Sequence, residues 1–183
     1  MCNEFRFETS LQDIMGAFSE LQIPLDWAGG APNVEPRASI RPTDPAYLIT
    51  GRDDGGARLS QLRWGFPGPK GPIINFRSEG RRFTRGRCIV PVDGFFEFTG
   101  EKAPKSKWLF TPAAGGFLGV AGLIREDRFT LLTGAPGSDV APYHPRQIVI
   151  LPLERWAAWL DVTRPSPPLS PLPAGTLSVT QIR

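Results

Sequence analysis

Histidine and cysteine are scarce in this chain, which has one histidine and two cysteines in 183 residues. Two cysteines cannot build a disulfide framework, and the single histidine, His144, cannot build a histidine-rich metal site. Cys2 and Cys88 are also too far apart in sequence to match a zinc-binding spacing. We therefore expect no bound metal, no cofactor and reduced thiols, as in a cytoplasmic protein.

Long hydrophobic runs are missing as well. The longest, such as residues 117–124, fall well short of the roughly 20 residues needed to cross a bilayer. No charged segment followed by an apolar stretch indicates a signal peptide. With 40% apolar residues the chain can build one substantial core. We expect one domain over residues 1–183 that is soluble, monomeric and not associated with membranes.

The hydrophobic pattern predicts an α+β fold with a mostly antiparallel, much-broken sheet or pseudo-barrel. Ser10 and Asp13 resemble a capping box, and apolar residues then recur at helical spacing. A short helix is also expected at residues 153–160, after Pro152. Short β-rich segments between Gly and Pro residues predict the strands, which are residues 46–50, 58–64, 73–76, 88–98, 108–111, 117–124, 129–133, 148–151 and 177–182.

Three details of this prediction depend on weaker signals. The composition of residues 23–45 predicts a long ordered loop. Residues 88–98 are interrupted by Asp93 and Gly94, so they form either two paired strands or one bent strand with a bulge. The strands at 108–111, 117–124 and 129–133 are expected to be consecutive and antiparallel.

Cys2 is the most informative position in the chain. If the initiator methionine is removed, Cys2 carries both an α-amine and a thiol. Such a 1,2-aminothiol can form an imine with an aldehyde and then close a thiazolidine ring. It can instead act as an N-terminal nucleophile of a hydrolase. A free cysteine is also simply a small apolar residue, so all three interpretations stay open at this stage.

Arginine is concentrated in one short stretch, although the net charge is only +3. This cluster consists of Arg77, Arg81, Arg82, Arg85 and Arg87. Guanidinium groups suit phosphate, and the nearby aromatic residues Trp64, Phe66 and Phe76 favour a nucleic acid whose bases stack on rings. The alternative is a solvated surface.

Three further residues are candidates for chemistry, each with a structural alternative. His144 lies between prolines in a loop, where it suits acid–base work or has no role. Glu97 follows two phenylalanines, which would desolvate it and raise its pKa, unless it is the outward residue of a strand. Asn75 shares a strand face with Arg77 and could orient a sugar and its phosphate, or cap the strand end.

The chain resembles the SOS-response-associated peptidase (SRAP) family nearly end to end. The resemblance lies in an ordered series of segments, which are Met1-Cys2, Leu-Arg-Trp-Gly at 62–65, Asn-Phe-Arg-Ser-Glu at 75–79, residues 87–97 with Pro-Val-Asp-Gly-Phe-Phe-Glu, Ala-Gly-Leu at 121–123, residues 129–133 and His-Pro-Arg at 144–146. No single segment is decisive, but their order is highly specific.

The resemblance implies a DNA-damage protein that binds single-stranded DNA and captures abasic sites. In the family, Cys2 closes a thiazolidine on the aldehyde of the ring-opened sugar, and the resulting DNA–protein crosslink shields the lesion. Glu97 is then the acid–base carboxylate, His144 the proton donor and Asn75 the residue that positions Cys2. The resemblance also implies autoproteolytic exposure of Cys2, here the removal of Met1 alone, and a lyase activity as a further expectation.

The same resemblance and the arginine cluster together give the expected DNA contacts. They are Pro36, Trp64, Arg77, Arg81, Arg82, Arg85 and Arg146. The chain departs from the family in having Asn3 and Glu4 after Cys2, where the family has Gly and Arg, so a phosphate-contacting arginine becomes an acid; Arg6 is the candidate substitute. Two alternatives remain, a cysteine-dependent protein hydrolase and a non-covalent single-strand-binding module.

Overall fold

The protein is built from two β-sheets and two short α-helices, and the computed structural model describes residues 2–183. The helices are α1 (Leu11–Glu20) and α2 (Trp156–Leu160), the latter preceded by a 3-10 turn at Leu153–Arg155. The strands are β1 (Phe5–Phe7), β2 (Leu25–Trp27), β3 (Arg37–Ile40), β4 (Pro45–Gly51), β5 (Ala57–Trp64), β6 (Asn75–Arg77), β7 (Arg87–Val92), β8 (Gly94–Thr99), β9 (Ser106–Pro112), β10 (Leu118–Arg125), β11 (Arg128–Gly134), β12 (Gln147–Ile148), β13 (Ile150–Leu151) and β14 (Leu177–Gln181).

The first sheet has the strand order β14-β9-β8-β1-β3 and is antiparallel throughout. The second has the order β12-β11-β10-β7-β4-β5-β2, with β13 added beside β10 and β6 beside β11. It curls until β5 and β11 pair in parallel over two residue pairs. The predicted α+β class with mostly antiparallel strands is confirmed.

The chain passes from one sheet to the other at Asp93. Strand β7 lies in the second sheet and β8 in the first. Of the two arrangements expected for residues 88–98, two paired strands is therefore wrong, and the structure has a bend between two strands that do not pair with each other. The Asp93 carboxylate accepts hydrogen bonds from the backbone N–H of Thr9 (2.9 Å) and from its hydroxyl (2.8 Å). These bonds fix the bend against the chain that follows β1.

Two other expectations are corrected. Residues 23–45 contain β2, which is parallel to β5, and β3, which is antiparallel to β1. Strands this short are set by their pairing partners rather than by their own pattern, so composition alone indicated a loop. Strand β9 pairs with β8 and β14 in the first sheet, whereas β10 and β11 form a hairpin in the second, so these three strands are not one meander.

The predicted helix start is confirmed at α1. The Ser10 hydroxyl accepts a hydrogen bond from the Asp13 N–H (3.1 Å), and the Asp13 carboxylate accepts one from the Ser10 N–H (3.2 Å), which together form a capping box. The apolar face of α1 buries Ile14 and Phe18. Phe18 then contacts the Trp156 ring of α2 with a centroid separation of 5.5 Å.

The core continues from the second sheet to the short helices. Gly119 on β10 is required there, because a Cβ at this position would lie 2.3 Å from the ring of Trp156. Trp159 donates its Nε1–H to the carbonyl of Cys88 at 2.9 Å, which ties α2 to β7. None of the helices within residues 2–183 has the length and apolar character needed to cross a membrane.

Candidate active site

Cys2 precedes β1, which lies between β8 and β3 in the first sheet. The β1–β8 register pairs Phe5 with Phe95, and the Phe96 N–H donates to the carbonyl of Glu4 at 3.0 Å. Continuing that register places Asn3 opposite Glu97. The Cys2 side chain is 1% exposed, and its thiol donates to the Glu4 carbonyl at 3.4 Å. The sheet itself therefore brings the N-terminal segment to the strand that carries Glu97.

Asn75 holds Cys2 from the other sheet. It begins β6, which runs parallel to β11 with Asn75 paired to Leu131. The Asn75 side-chain N–H donates to the Cys2 carbonyl at 2.7 Å. Its amide oxygen is buried and has no hydrogen-bond partner within residues 2–183, so an acceptor remains at the site. Cys2 thus lies between β8 and β6 and is hydrogen-bonded by Asn75 of β6.

Glu97 and His144 lie close together next to Cys2. The distance between His144 Nε2 and Glu97 Oε2 is 4.0 Å, and the Glu97 side chain is 1% exposed. Burial raises the pKa of Glu97 above its ordinary value, and the His144 charge opposes that shift. Burial, and after it the negative charge of Glu97, raises the pKa of the Cys2 thiol. The thiol is therefore held protonated beside a carboxyl group suited to proton transfer.

The second nitrogen of His144 faces its own loop. Nδ1 lies 3.0 Å from the backbone nitrogen of Arg146 and 2.8 Å from its carbonyl oxygen. In neutral imidazole, Nδ1 can accept from the Arg146 N–H, which places the proton on Nε2, the atom nearer Glu97. In imidazolium, Nδ1–H donates to the carbonyl instead. Both protonation states therefore find a partner in the loop.

An open cavity of about 650 Å³ leads from solvent to the side chains of Glu97 and His144. It is lined by Asn3, Glu97, Phe98, Ala103, Pro104, Lys105, His144 and Arg183. Within residues 2–183 no group of three or more His, Cys, Asp or Glu side chains is arranged to hold a metal ion. The chemistry available at the site is accordingly that of a thiol, a carboxyl group, an imidazole and an amide.

Four arginines of the predicted cluster are exposed, one at the end of β6 and three after it. Arg77, Arg81, Arg82 and Arg85 form no ion pair with a carboxylate of residues 2–183. The Arg81 guanidinium lies 4.8 Å from the centre of the Phe76 ring.

Three adjoining cavities of about 640, 390 and 530 Å³ share Arg82 as a lining residue. We call this continuous surface the arginine groove; its cationic residues are Arg81, Arg82, Arg85 and Arg125. Arg77 is exposed at the end of β6, two residues after Asn75. In sequence it therefore lies between Asn75 and the first arginine of the groove.

Arg87 differs from its neighbours in the cluster. It is 1% exposed, its guanidinium donates to the carbonyl oxygens of Asp161 and Arg164, and it lies 5.5 Å from the Trp159 ring centre. Burial lowers its pKa. Arg87 is therefore a core residue that fixes the chain after α2, a role that the sequence cluster did not reveal.

Trp64 is corrected as an expected DNA contact. Its side chain is 0% exposed, its ring lies 5.0 Å from Phe5 and 6.5 Å from Phe129 between centroids, and its Nε1–H donates to the Ile74 carbonyl at 2.9 Å. No ring face is available to a base. Trp64 instead holds the residue that precedes Asn75, so it supports the site from within the core.

Arg146 is also engaged within the protein. Its guanidinium forms a two-pronged ion pair with Glu79 (2.7 and 2.9 Å) and donates to the Thr133 carbonyl (2.9 Å) and hydroxyl (3.0 Å). The hydrogen bonds from Arg146 lower the pKa of Glu79 to about 2. Arg146 thus anchors the His144 loop to β11, whereas the expected contact residue Pro36 is exposed just before β3.

The departure at position 4 has a partner that the sequence did not indicate. The Glu4 carboxylate accepts hydrogen bonds from Lys107 Nζ (2.7 Å) and from the Ser39 hydroxyl (2.9 Å). Burial by itself would raise the pKa of Glu4, but Lys107 and Ser39 outweigh it and the pKa is lowered. Arg6, the candidate substitute, lies 3.8 Å from Glu8.

Comparisons with known proteins identify relatives of this chain. The family model for the SOS response associated peptidase (SRAP) matches residues 1–182. The abasic site processing protein YoaM of Bacillus subtilis (strain 168) is 25% identical over 91% of this chain and 82% of its own length.

Solved structures share the fold at lower identity. A protein from Bordetella bronchiseptica is 22% identical with a TM-score of 0.69, and each chain covers 100% of the other. A phage-related protein from the same organism is 20% identical, with a TM-score of 0.72 over 100% of this chain and 94% of its own. A protein from Bacteroides thetaiotaomicron is 17% identical, with a TM-score of 0.73 over 100% of this chain and 92% of its own.

Proposed function

Because the chain belongs to the SOS response associated peptidase (SRAP) family, we propose that it binds single-stranded DNA and captures abasic sites covalently through Cys2. The name of the Bacillus subtilis relative, an abasic site processing protein, supports abasic DNA as the substrate. The observation that carries the proposal is the placement of Cys2, held by Asn75 through a 2.7 Å hydrogen bond beside the buried Glu97.

The reaction requires removal of Met1, which turns the Cys2 nitrogen into a free amine. That amine attacks the C1′ aldehyde of the ring-opened deoxyribose, and loss of one water gives an imine. The thiol sulfur then adds to the same carbon while its proton moves to the nitrogen. The product is a five-membered thiazolidine, and no oxidant or cofactor is consumed.

Proton transfer in this scheme belongs to Glu97 and His144. A buried thiol stays protonated, so ring closure needs a base close to the sulfur. Glu97 is that base, since its raised pKa suits both taking and returning a proton. His144, 4.0 Å from Glu97 and lining the open cavity, donates a proton to the sugar ring oxygen as the ring opens.

Asn75 acts as a positioning residue. Its hydrogen bond fixes the Cys2 carbonyl and with it the direction of the amine and the thiol. The amide oxygen that has no partner within residues 2–183 is left to accept from a sugar hydroxyl. Asn75 also begins the strand that presents Arg77, so the same short strand serves the lesion and its phosphate.

The arginine groove and Arg77 bind the rest of the DNA strand. Their guanidinium groups form no ion pair with a carboxylate of residues 2–183 and lie beside exposed surface, as a sequence-independent phosphate site requires. Phe76 lies beneath Arg81 at 4.8 Å and keeps that guanidinium in place.

Exposure of Cys2 belongs to the same proposal. The family's autoproteolysis would here remove only Met1, and a methionine aminopeptidase would give the same product because cysteine is small. In either case the mature chain begins at Cys2, and the crosslink forms only on that species.

Cys2→Ser distinguishes covalent capture from the alternatives. The variant keeps the amine but loses the thiol, so with a single-stranded abasic oligonucleotide it should give only a labile imine, trapped by borohydride. A non-covalent binding module would give no trapped species with either protein and would bind abasic and intact strands equally. A protein hydrolase would cleave peptides in trans and show no preference for the abasic strand.

A further inference from the structure

Two cations on the wall of the cavity that leads to Glu97 and His144 have no role in the proposed chemistry. They are Lys105 and Arg183, which line the cavity together with Glu97 and His144. Neither cation forms an ion pair with a carboxylate of residues 2–183. Glu101, the acid in the loop that leads to Lys105, is not among the residues that line the cavity.

The acid at position 4 does not neutralise this wall. Its carboxylate is buried, with a side chain 8% exposed, and is occupied by Lys107 and Ser39. The Lys107 ammonium also lies 4.0 Å from the centre of the Phe96 ring, which keeps it on the strand. The charges of Glu4 and Lys107 therefore cancel within the sheet, and Glu4 forms no ion pair with Lys105 or Arg183.

Arg183 is held in place by the chain around it. Its Nε–H donates to the Lys105 carbonyl at 3.1 Å, and its own carbonyl accepts from the Lys107 N–H at 3.0 Å. The Ile182 N–H donates to the Lys107 carbonyl at 2.7 Å, so residues 182–183 bond both the N–H and the carbonyl of Lys107 in β9. The remaining guanidinium N–H groups are available to a ligand, and a guanidinium that is already positioned loses less entropy on binding.

We propose that Lys105 and Arg183 bind a phosphodiester adjacent to the abasic nucleotide and so replace the arginine that the family carries at position 4. This inference rests on the proposed function. Phosphate suits the pair because a fixed guanidinium and a flexible ammonium can contact oxygens of one group. The DNA strand would then be held on two sides of the lesion. Arg77 and the arginine groove would bind it on the β6 side, and this pair would bind it on the β9 side.

The test measures non-covalent binding to a single-stranded oligonucleotide that carries one tetrahydrofuran abasic analogue, which has no aldehyde. Lys105→Ala/Arg183→Ala should weaken binding about tenfold and lower the slope of log affinity against log salt by about 0.7 per lost phosphate contact. Lys102→Ala/Arg155→Ala is the matched control, because it removes the same charge from exposed residues that do not line the cavity. The control should bind within about twofold of the unaltered protein.

Neutral methylphosphonate linkages identify the phosphate. They are placed one at a time beside the lesion. One of these positions should weaken DNA binding by the unaltered protein about as much as the double substitution does, and should not weaken binding by the double variant further. Equal losses in both proteins at every position, or no difference between the double variant and its control, would overturn the inference.

Crosslinking keeps this inference separate from the proposed function. The unaltered mature protein and the Lys102→Ala/Arg155→Ala control should form heat-stable adduct with a true abasic site at the same rate, whereas Lys105→Ala/Arg183→Ala should form it about tenfold more slowly at protein concentrations below saturation. Absence of adduct with the unaltered mature protein would contradict the proposed function itself. Adduct formation without a binding defect in the double variant would contradict only the role of Lys105 and Arg183.

Discussion

The side-chain amide of Asn75 donates a 2.7 Å hydrogen bond to the carbonyl oxygen of Cys2, across 73 residues of sequence and between the two sheets. The bond joins the start of β6 in the second sheet to the segment that runs into β1 of the first. The orientation of the proposed nucleophile thus depends on a single amide and on the relative placement of the sheets.

Asn75→Ala should slow crosslink formation about 10- to 100-fold, because a loosely held amine and thiol attack less often in the right geometry. The loss of one hydrogen bond should lower the free energy of unfolding by only about 1 kcal/mol. Single-turnover crosslinking and urea unfolding measure the two effects. Asn33→Ala is the control, since Asn33 is exposed and its side chain bonds only Glu35 among residues 2–183. A fully active Asn75→Ala protein would show that Cys2 needs no such anchor.

Glu97→Gln should reduce the rate of ring closure about 100-fold, because the amide keeps the shape of the side chain but cannot take the thiol proton. Imine formation should be affected less, so borohydride trapping should recover an imine that accumulates in this variant. Equal rates of imine formation and ring closure in the variant and the unaltered protein would exclude Glu97 as the base.

Glu97 also predicts a dependence of stability on pH. Its folded pKa is raised above the ordinary value of 4.5 by burial, so the folded state holds the proton more tightly than the unfolded state. Its stabilising contribution is complete below about pH 4.5 and is lost as the pH rises through the folded pKa. The difference in unfolding free energy between the unaltered protein and Glu97→Gln, measured from pH 4 to pH 8, should therefore shift in favour of Glu97→Gln. A constant difference would mean that the pKa of Glu97 is unchanged on folding.

Arg146→Ala separates a positioning role from a DNA contact. The guanidinium already donates to Glu79 and Thr133, and alanine removes these hydrogen bonds together with the charge. Crosslinking should slow as the His144 loop loosens, while the salt slope of single-strand binding should stay unchanged. Arg82→Ala, in the arginine groove, should lower that slope by about 0.7. A similar loss of slope in Arg146→Ala and Arg82→Ala would restore Arg146 to the DNA contacts.

Trp64→Phe tests the reassignment of that residue to the core. The change removes the hydrogen bond to the Ile74 carbonyl and part of a buried ring, so the free energy of unfolding should fall by about 2 kcal/mol. DNA affinity of the folded variant should be unchanged, as measured by titration at a temperature well below its unfolding transition. A large loss of affinity with unchanged stability would indicate that the ring contacts bases after all.

Local signals in the sequence predicted the parts of the fold that depend on neighbouring residues. The capping box of Ser10 and Asp13 and the strands predicted at residues 46–50 and 58–64 follow from local spacing and composition, and all are present. The sheet to which each strand belongs could not be predicted this way. It depends on long-range contacts such as those of Asp93 with Thr9, and β9 was consequently placed beside the wrong strands.

The same distinction between local signals and long-range contacts applies to the candidate site. Ordered motifs singled out Cys2, Asn75, Glu97 and His144, and the structure brings these four together. The motifs did not separate exposed arginines from Arg87, or a stacking tryptophan from the buried Trp64, because composition carries no information on burial. Lys105 and Arg183 lie outside every motif, and only the shape of the cavity places them beside Glu97.

The most direct measurement of the central claim is the intact mass of the adduct between the mature protein and a single-stranded abasic oligonucleotide. We predict a heat-stable species whose mass is the sum of the two components less one water, with the modified residue located at Cys2 by peptide mapping. Protein that retains Met1, and Cys2→Ala protein, should give none. A heat-stable adduct from either of these, or attachment at another residue, would contradict the account.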